Sequence, residues 1–196
     1  MGRYNEMLVE KSFHDCELLN INGKNFVINE LTEQIPATRP ELLWQAARKV
    51  AALTNFDGIN KIVSEEEKGA VLVAAVSLLM GIPFGLARWY PSGLSGQIEV
   101  GFTCEYAAGK IYLNGVEPGD RVIIVDDMIS TGGTLIALIE AVRAAGAEIV
   151  DVVSLADKAE YKGIQRIKDA TGIEAKSVVT VSVTGSKSKV HEYKGN

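Results

Sequence analysis

Val122-Ile-Ile-Val-Asp-Asp-Met-Ile-Ser-Thr-Gly-Gly-Thr134 is the stretch that decides how this 196-residue chain is read. Four apolar residues, Val122-Ile-Ile-Val125, all of them β-branched, lead into two acids. A loop of Ser130, Thr131, Gly132, Gly133 and Thr134 follows, and then Leu135, Ile136, Leu138, Ile139 and Val142 recur at helical spacing up to Gly146. An apolar run of this kind is typical of a parallel strand buried on both faces. Open α/β sheets bind ligands at the carboxyl ends of such strands. A Ser/Thr/Gly loop that opens a helix offers backbone N–H groups, hydroxyls and the positive end of the helix dipole to an anion. Two carboxylates beside an anion site fit a ligand whose hydroxyls they can accept from, so the pattern points to a sugar phosphate. The acids would take a cis-diol and the loop a phosphate.

Two rival readings are weaker. A receiver domain also carries an acidic pair at a strand tip, and a plain strand end can be acidic, but neither accounts for a phosphate loop within four residues. A Walker A loop is excluded because no Gly-Lys-Ser/Thr occurs.

Outward from this segment the pattern is strand alternating with helix, the mark of a parallel sheet covered on both sides. Toward the N-terminus, residues 61–64 read as a strand. The acidic turn Glu65-Glu-Glu-Lys-Gly69 comes next, then a helix over 70–80, a Gly-Ile-Pro turn, and a strand over 84–88. Residues 90–96 are rich in turn formers and read as a loop, with strands expected at 98–103 and 110–113. Residues 121–125 form the central strand, and 149–155 form another buried one. Asn22-Gly23 between apolar stretches signals a hairpin of 18–21 with 25–28. Thr38-Arg-Pro-Glu41 reads as a helix start with Thr38 as N-cap. The fold class expected is α/β, a doubly wound, mainly parallel sheet.

Composition sets the outer limits. The chain is 47% hydrophobic and 23% charged, fitting one globular domain over residues 1–196. Its net charge of −5 argues against nucleic acid as a partner, which would require clustered Lys and Arg. Residues 69–87 lack charge, but Gly81 and Pro83 divide them, so no membrane span is expected. The first thirteen residues show no basic region leading into an apolar stretch, so no signal peptide is expected. Cys16 and Cys104 form no Cys-x-x-Cys, and His14 and His191 stand isolated. A protein metal site or Ser-His-Asp triad is therefore not expected, and a reducing, cytoplasmic setting is.

The central segment resembles the phosphoribosyl-diphosphate signature of the type I phosphoribosyltransferase family, and the similarity runs over roughly residues 61–167. The resemblance implies that Asp126 and Asp127 bind the ribose 2′- and 3′-hydroxyls, and that Ser130 to Thr134 hold the 5′-phosphate, with Met128 and Ile129 between them. It gives Glu67, Lys68 and Gly69 the place of the short loop that contacts diphosphate through exposed backbone N–H groups. It puts Arg88 at the root of a flexible loop (about residues 89–110) that closes over the site. The family often has a second basic residue after this arginine, whereas this chain has Trp89. Further implications are Mg²⁺ carried by the substrate, a homodimer, and a small hood of about residues 1–40 and 157–196 over the base.

The reaction so implied joins a purine base to C1 of 5-phosphoribosyl 1-diphosphate with loss of diphosphate, with Asp127 and Glu105 as catalytic candidates. Cys104-Glu-Tyr106, Val153-Ser-Leu155 and Tyr161-Lys-Gly163 are similar to adenine phosphoribosyltransferases, and the first gives Glu105 a general acid–base role. Arg39-Pro-Glu-Leu-Leu43, Gly93-Leu-Ser-Gly96 and Lys110-Ile-Tyr-Leu-Asn-Gly115 resemble archaeal hypoxanthine/guanine enzymes. Asp157 and Lys158 fit either, since an acid could accept from a 6-amino group and a lysine could donate to a 6-oxo group. The balance favours adenine, with a 6-oxopurine enzyme as the alternative. A non-catalytic sensor of the ribose donor is a further alternative, although this chain shows no DNA-binding addition.

Overall fold

The computed structural model describes residues 7–103 and 108–192. The elements run α1 (Leu8–Phe13), β1 (Leu18–Ile21), β2 (Lys24–Val27), α2 (Pro40–Ala52), β3 (Lys61–Glu65), α3 (Gly69–Met80), β4 (Phe84–Arg88), β5 (Ile98–Thr103), β6 (Ala108–Leu113), β7 (Arg121–Ile129), α4 (Gly133–Ala144), β8 (Glu148–Lys158), α5 (Gly163–Thr171), β9 (Lys176–Ser182) and β10 (Lys189–Val190). Eight strands form one sheet in the order β10-β9-β8-β7-β3-β4-β6-β5. The five at its centre, β9 to β4, are mutually parallel, and the edges are antiparallel. The expected α/β, doubly wound, mainly parallel architecture is the one observed.

Strand β7 shows why. Its side chains alternate between faces. Ile123 and Val125 join α1, α2 and α3 in one apolar cluster, while Val122 and Ile124 join α4, β5 and β6 in the other. All four are fully buried, as a strand covered on both sides requires. The uncharged run 69–87 resolves into α3, a turn at Gly81 and β4, and among the described residues no helix is long and apolar enough to cross a membrane.

Several boundaries differ from those read in the sequence. The central strand does not stop at Val125 but runs to Ile129, with Asp126 paired to Ser154, Met128 to Ala156 and Ile129 to Asp157 on β8. The acids therefore sit inside a strand rather than in the loop after it. Glu65 is the last residue of β3 and is buried, rather than the first of an exposed turn. Arg39, not Thr38, occupies the N-cap of α2, with Pro40 at the first helical position. The Thr38 hydroxyl instead donates to the Glu30 carbonyl at 2.5 Å, which takes it away from the helix.

The hairpin turns at Asn22-Gly23, Ile21 facing Lys24, and forms a separate two-stranded sheet. It is tied to the C-terminal segment by Asn25, whose side-chain amide donates to the Val183 carbonyl at 2.8 Å. The bridge between Glu17 and Lys187 and the Cys16–Ser188 backbone pairing make the same connection.

Candidate active site

Parallel strands β3, β7 and β8 are neighbours, so their carboxyl ends lie side by side. Glu65 ends the first, Asp126 to Ile129 the second, and Lys158 the third. They open on a cleft that spans about 650 Å³ of space, the open solvent at its mouth included. The run from Asp126 through Thr134 lines it without a gap, joined by Glu65, Lys68 and Lys158 and, from the hairpin side, by Phe26, Val27, Thr32 and Glu33. Asp126–Thr134, Lys68 and Lys158 are thus brought together as the sequence predicts.

The acidic pair is buried in the wall of the cleft. Asp126 is 4% exposed and Asp127 6%. The Asp127 amide donates to Asp126 Oδ1 at 3.0 Å, while Asp127 Oδ2 is buried without a hydrogen-bond partner among the described residues. Burial pushes the Asp127 carboxyl up to about 7; the Glu65 carboxylate adds to the rise and the Lys68 ammonium opposes it. Asp126 is raised well above the ordinary carboxylate range, by burial first and then by the charges of Asp127 and Glu65. One carboxylate oxygen from each of Glu65, Asp126 and Asp127 lies within 4.8 Å of the others.

Lys68 reaches across this acidity. Its ammonium pairs with Glu33 and lies 5.5 Å from the Phe26 ring centroid. Burial works against its charge, but Glu33, Asp127 and Glu67 outweigh that and its pKa is raised. The diphosphate-loop backbone differs from expectation. The amides of Glu67, Lys68 and Gly69 are not exposed donors: they donate to the Glu65 carboxylate at 2.8, 2.6 and 2.7 Å.

At the other end of the cleft, Gly132 takes a left-handed conformation (φ 78°) as the N-cap of α4, so the loop's backbone faces the ligand side of a twelve-residue helix. The Thr131 hydroxyl is buried and lacks a partner among the described residues. Arg166 braces the loop from α5 by donating to the Thr131 carbonyl at 3.1 Å.

Four predicted residues do not line the cleft, and Glu67, whose amide donates to Glu65, is one of them. Asp157 accepts from the hydroxyls of Ser177 and, at 2.8 Å, Thr180 on β9. Arg88 lies 3.8 Å from Glu66 and 5.8 Å from the Tyr90 ring centroid. Gly69 sits behind the cleft, against Ser64 and Asp126. Trp89 packs edge-on to Phe102, with centroids 4.5 Å apart, so the departure from the family pattern puts an indole into the apolar cluster. Glu105 lies outside the described residues. Sequence reasoning missed Glu65, Glu33 and Phe26. Glu65 was the findable one, because β3 neighbours β7 and its last residue must approach the acids.

A family model for the phosphoribosyl transferase domain matches residues 40–189. The chain belongs to the phosphoribosyltransferase family. A hypoxanthine/guanine phosphoribosyltransferase of Methanocaldococcus vulcanius is 37% identical over 177 residues, covering 90% of this chain and 96% of that one. A protein of the same name from Methanopyrus kandleri is 39% identical over 178 residues, covering 91% and 94%. Among solved structures, adenine phosphoribosyltransferase of Rhodothermus marinus superposes with a TM-score of 0.74 at 24% identity, covering 90% of this chain and 99% of that one. At that identity the likeness establishes the type I fold alone.

Proposed function

We propose that this chain is a purine phosphoribosyltransferase that takes 5-phosphoribosyl 1-diphosphate as donor and a 6-oxopurine, hypoxanthine or guanine, as acceptor. One observation carries the choice of base. At the hairpin end of the cleft Lys158 is a donor in the polar wall, beside Thr32 and a Glu33 carboxylate that is itself paired with Lys68, while Asp157, the acid that would accept from a 6-amino group, is engaged by Ser177 and Thr180 on the neighbouring strand β9. Lys158 is 2% exposed, donates to the Asn25 carbonyl at 2.9 Å and lies 4.9 Å from the Phe26 ring centroid. An ammonium and an aromatic ring at one edge suit a flat heterocycle with an acceptor oxygen. The adenine preference suggested by the short motifs gives way to this, and the names of the archaeal relatives support the same base.

The rest of the cleft divides along its length. Asp126 and Asp127 would hold the ribose hydroxyls, and the loop 130–134 the 5′-phosphate, leaving C1 directed toward Lys68 on one side and the base on the other. Positive charge that develops on the ribose ring would lie near the acidic pair, whose fixed position makes the stabilisation preorganised. The buried acids and unpartnered Asp127 Oδ2 suit a hard cation, Mg²⁺, arriving with the substrate. When bound it would neutralise diphosphate charge. The hairpin and C-terminal segment would act as the hood over the base, and a cytoplasmic homodimer belongs to the same reading.

The test is an assay with the ribose donor, Mg²⁺ and each of hypoxanthine, guanine, adenine, orotate and uracil. Nucleotide should form with the first two at the highest kcat/KM. Lys158→Gln should lower kcat/KM for hypoxanthine by about 10²-fold and narrow the margin over adenine. Faster turnover of adenine by the wild type would overturn the base assignment, and donor binding with no turnover would favour a sensor.

A further inference from the structure

We propose that the Glu65 carboxylate is an internal competitor for the diphosphate, seated in the backbone amide cradle that the donor's leaving group must occupy. The proposal rests on the reading of the ribose site given above, and its observations lie in the turn between β3 and α3. Three consecutive amides, those of Glu67, Lys68 and Gly69, converge on one carboxylate within 2.8 Å. They open a twelve-residue helix, so its dipole favours an anion at the same point. The anion already there belongs to the chain itself and is 5% exposed.

A second observation shows that the turn is not completed by this arrangement. The Ser64 hydroxyl is fully buried and has no hydrogen-bond partner among the described residues. It faces the same turn, only 2.1 Å from where a Cβ on Gly69 would lie. A third is location. The Glu65 oxygens lie within 4.8 Å of those of Asp126 and Asp127. A substituent on C1 of a ribose held by those acids therefore meets the amides that Glu65 fills.

A diphosphate and a carboxylate cannot share these donors, because like charges in a dry pocket repel strongly. Binding the donor therefore displaces the Glu65 side chain, and diphosphate departs as the carboxylate returns. Competition of this kind weakens diphosphate binding and quickens its release. If instead Glu65 stays in place and meets diphosphate through a bridging cation, removing it should weaken binding.

The opposite signs make the test sharp. Wild type, E65Q and E65A are titrated calorimetrically at pH 8 with inorganic diphosphate in Mg²⁺ and, separately, with ribose 5-phosphate. Glutamine keeps the side chain's shape while removing its charge and one acceptor oxygen, so E65Q remains informative if E65A fails to fold. The expected result is a diphosphate Kd at least about tenfold lower in E65Q, with no matching gain for ribose 5-phosphate. Equal or weaker diphosphate binding overturns the proposal. So does a gain that ribose 5-phosphate shares equally, which would trace to the field at Asp127 rather than to the amides. A wild type that binds neither ribose 5-phosphate nor 5-phosphoribosyl 1-diphosphate would instead overturn the reading of the ribose site, while the diphosphate comparison still decides the cradle.

Discussion

Asp126→Asn combined with Asp127→Asn is expected to lower affinity for 5-phosphoribosyl 1-diphosphate by about 10³-fold or more, and at the same time to raise the protein's Tm at pH 8. Both effects come from the same burial. Each carboxylate would offer charge-assisted hydrogen bonds to ribose, worth about 1.5–3 kcal/mol apiece, so losing both charges removes most of the donor's hold. In the empty site those charges are a burden. Burial pushes Asp127 up to about 7, far above the ordinary value of 3.8, with Glu65 adding to the rise. A carboxyl whose folded pKa is raised contributes stability that is fully present below the unfolded value and is lost as pH rises through the folded one. The wild type should therefore lose Tm between about pH 4 and pH 8, and the Asn pair should flatten that slope. The stabilisation recovered at pH 8 can reach about 4 kcal/mol, since every tenfold change in proton affinity between the unfolded and folded chain is worth about 1.4 kcal/mol. Calorimetric titration with the donor in Mg²⁺ and thermal melts from pH 4 to 8 check the two halves. Undiminished donor affinity in the double variant would refute the assignment of the acids. The opposing signs are those of a site that sacrifices stability for function.

How much of this was legible in the sequence depended on whether the signal was local. The β7–α4 segment was readable because its apolar run, acids and glycines act on their own neighbourhood, and the sheet class followed from alternation of strands and helices. The N-terminal hairpin was readable from Asn22-Gly23 for the same reason. What failed depended on neighbours. The apolar run alone ends the strand at the acids, yet pairing with β8 carries it on to Ile129, because a partner strand of eleven residues supplies hydrogen bonds that propensity does not foresee. Glu65 looks like one of three equivalent surface acids, and only the adjacency of β3 to β7 shows that it is buried against Asp126 and Asp127. Asp157 and Lys158 are ambiguous as a pair. Side-chain alternation along β8 separates them, sending Lys158 to the cleft and Asp157 to the hydroxyls of β9. Helix α5 offers only Ile164 and Ile167 as an apolar stripe, too little to identify it. The run Ser177-Val-Val-Thr-Val-Ser182 is β-rich, but β9 was not among the strands expected from the sequence, the last of which was 149–155.

Gly132→Ala should cost about 2–4 kcal/mol of stability and lower kcat/KM for the ribose donor by about 10²-fold. Gly132 holds φ 78°, where a side chain costs about 1–2 kcal/mol by its own sterics. Space adds to this, because a Cβ there would lie 2.8 Å from the Gly163 carbonyl oxygen and 2.8 Å from Ile167 Cγ1. Neither neighbour can yield easily. Gly163 is itself pressed against the loop, with a Cβ at that position falling 2.1 Å from the Ser130 carbonyl oxygen, and Ile167 is fully buried. Helix α5 and the phosphate loop are thus closely packed, and relief of the clash has to move the loop. A shift of about an ångström misaligns the 5′-phosphate and carries C1 away from both base and diphosphate, which is why activity should fall further than stability alone requires. Gly172→Ala separates the two effects. It has nearly the same backbone, φ 77°, but no atom within 4 Å of its added Cβ, and it caps the far end of α5. It should lose only the strain of about 1–2 kcal/mol in urea denaturation and retain wild-type kcat/KM. If Gly132→Ala behaved the same way, the loop would be more pliable than this packing allows, and the phosphate would have to be held elsewhere.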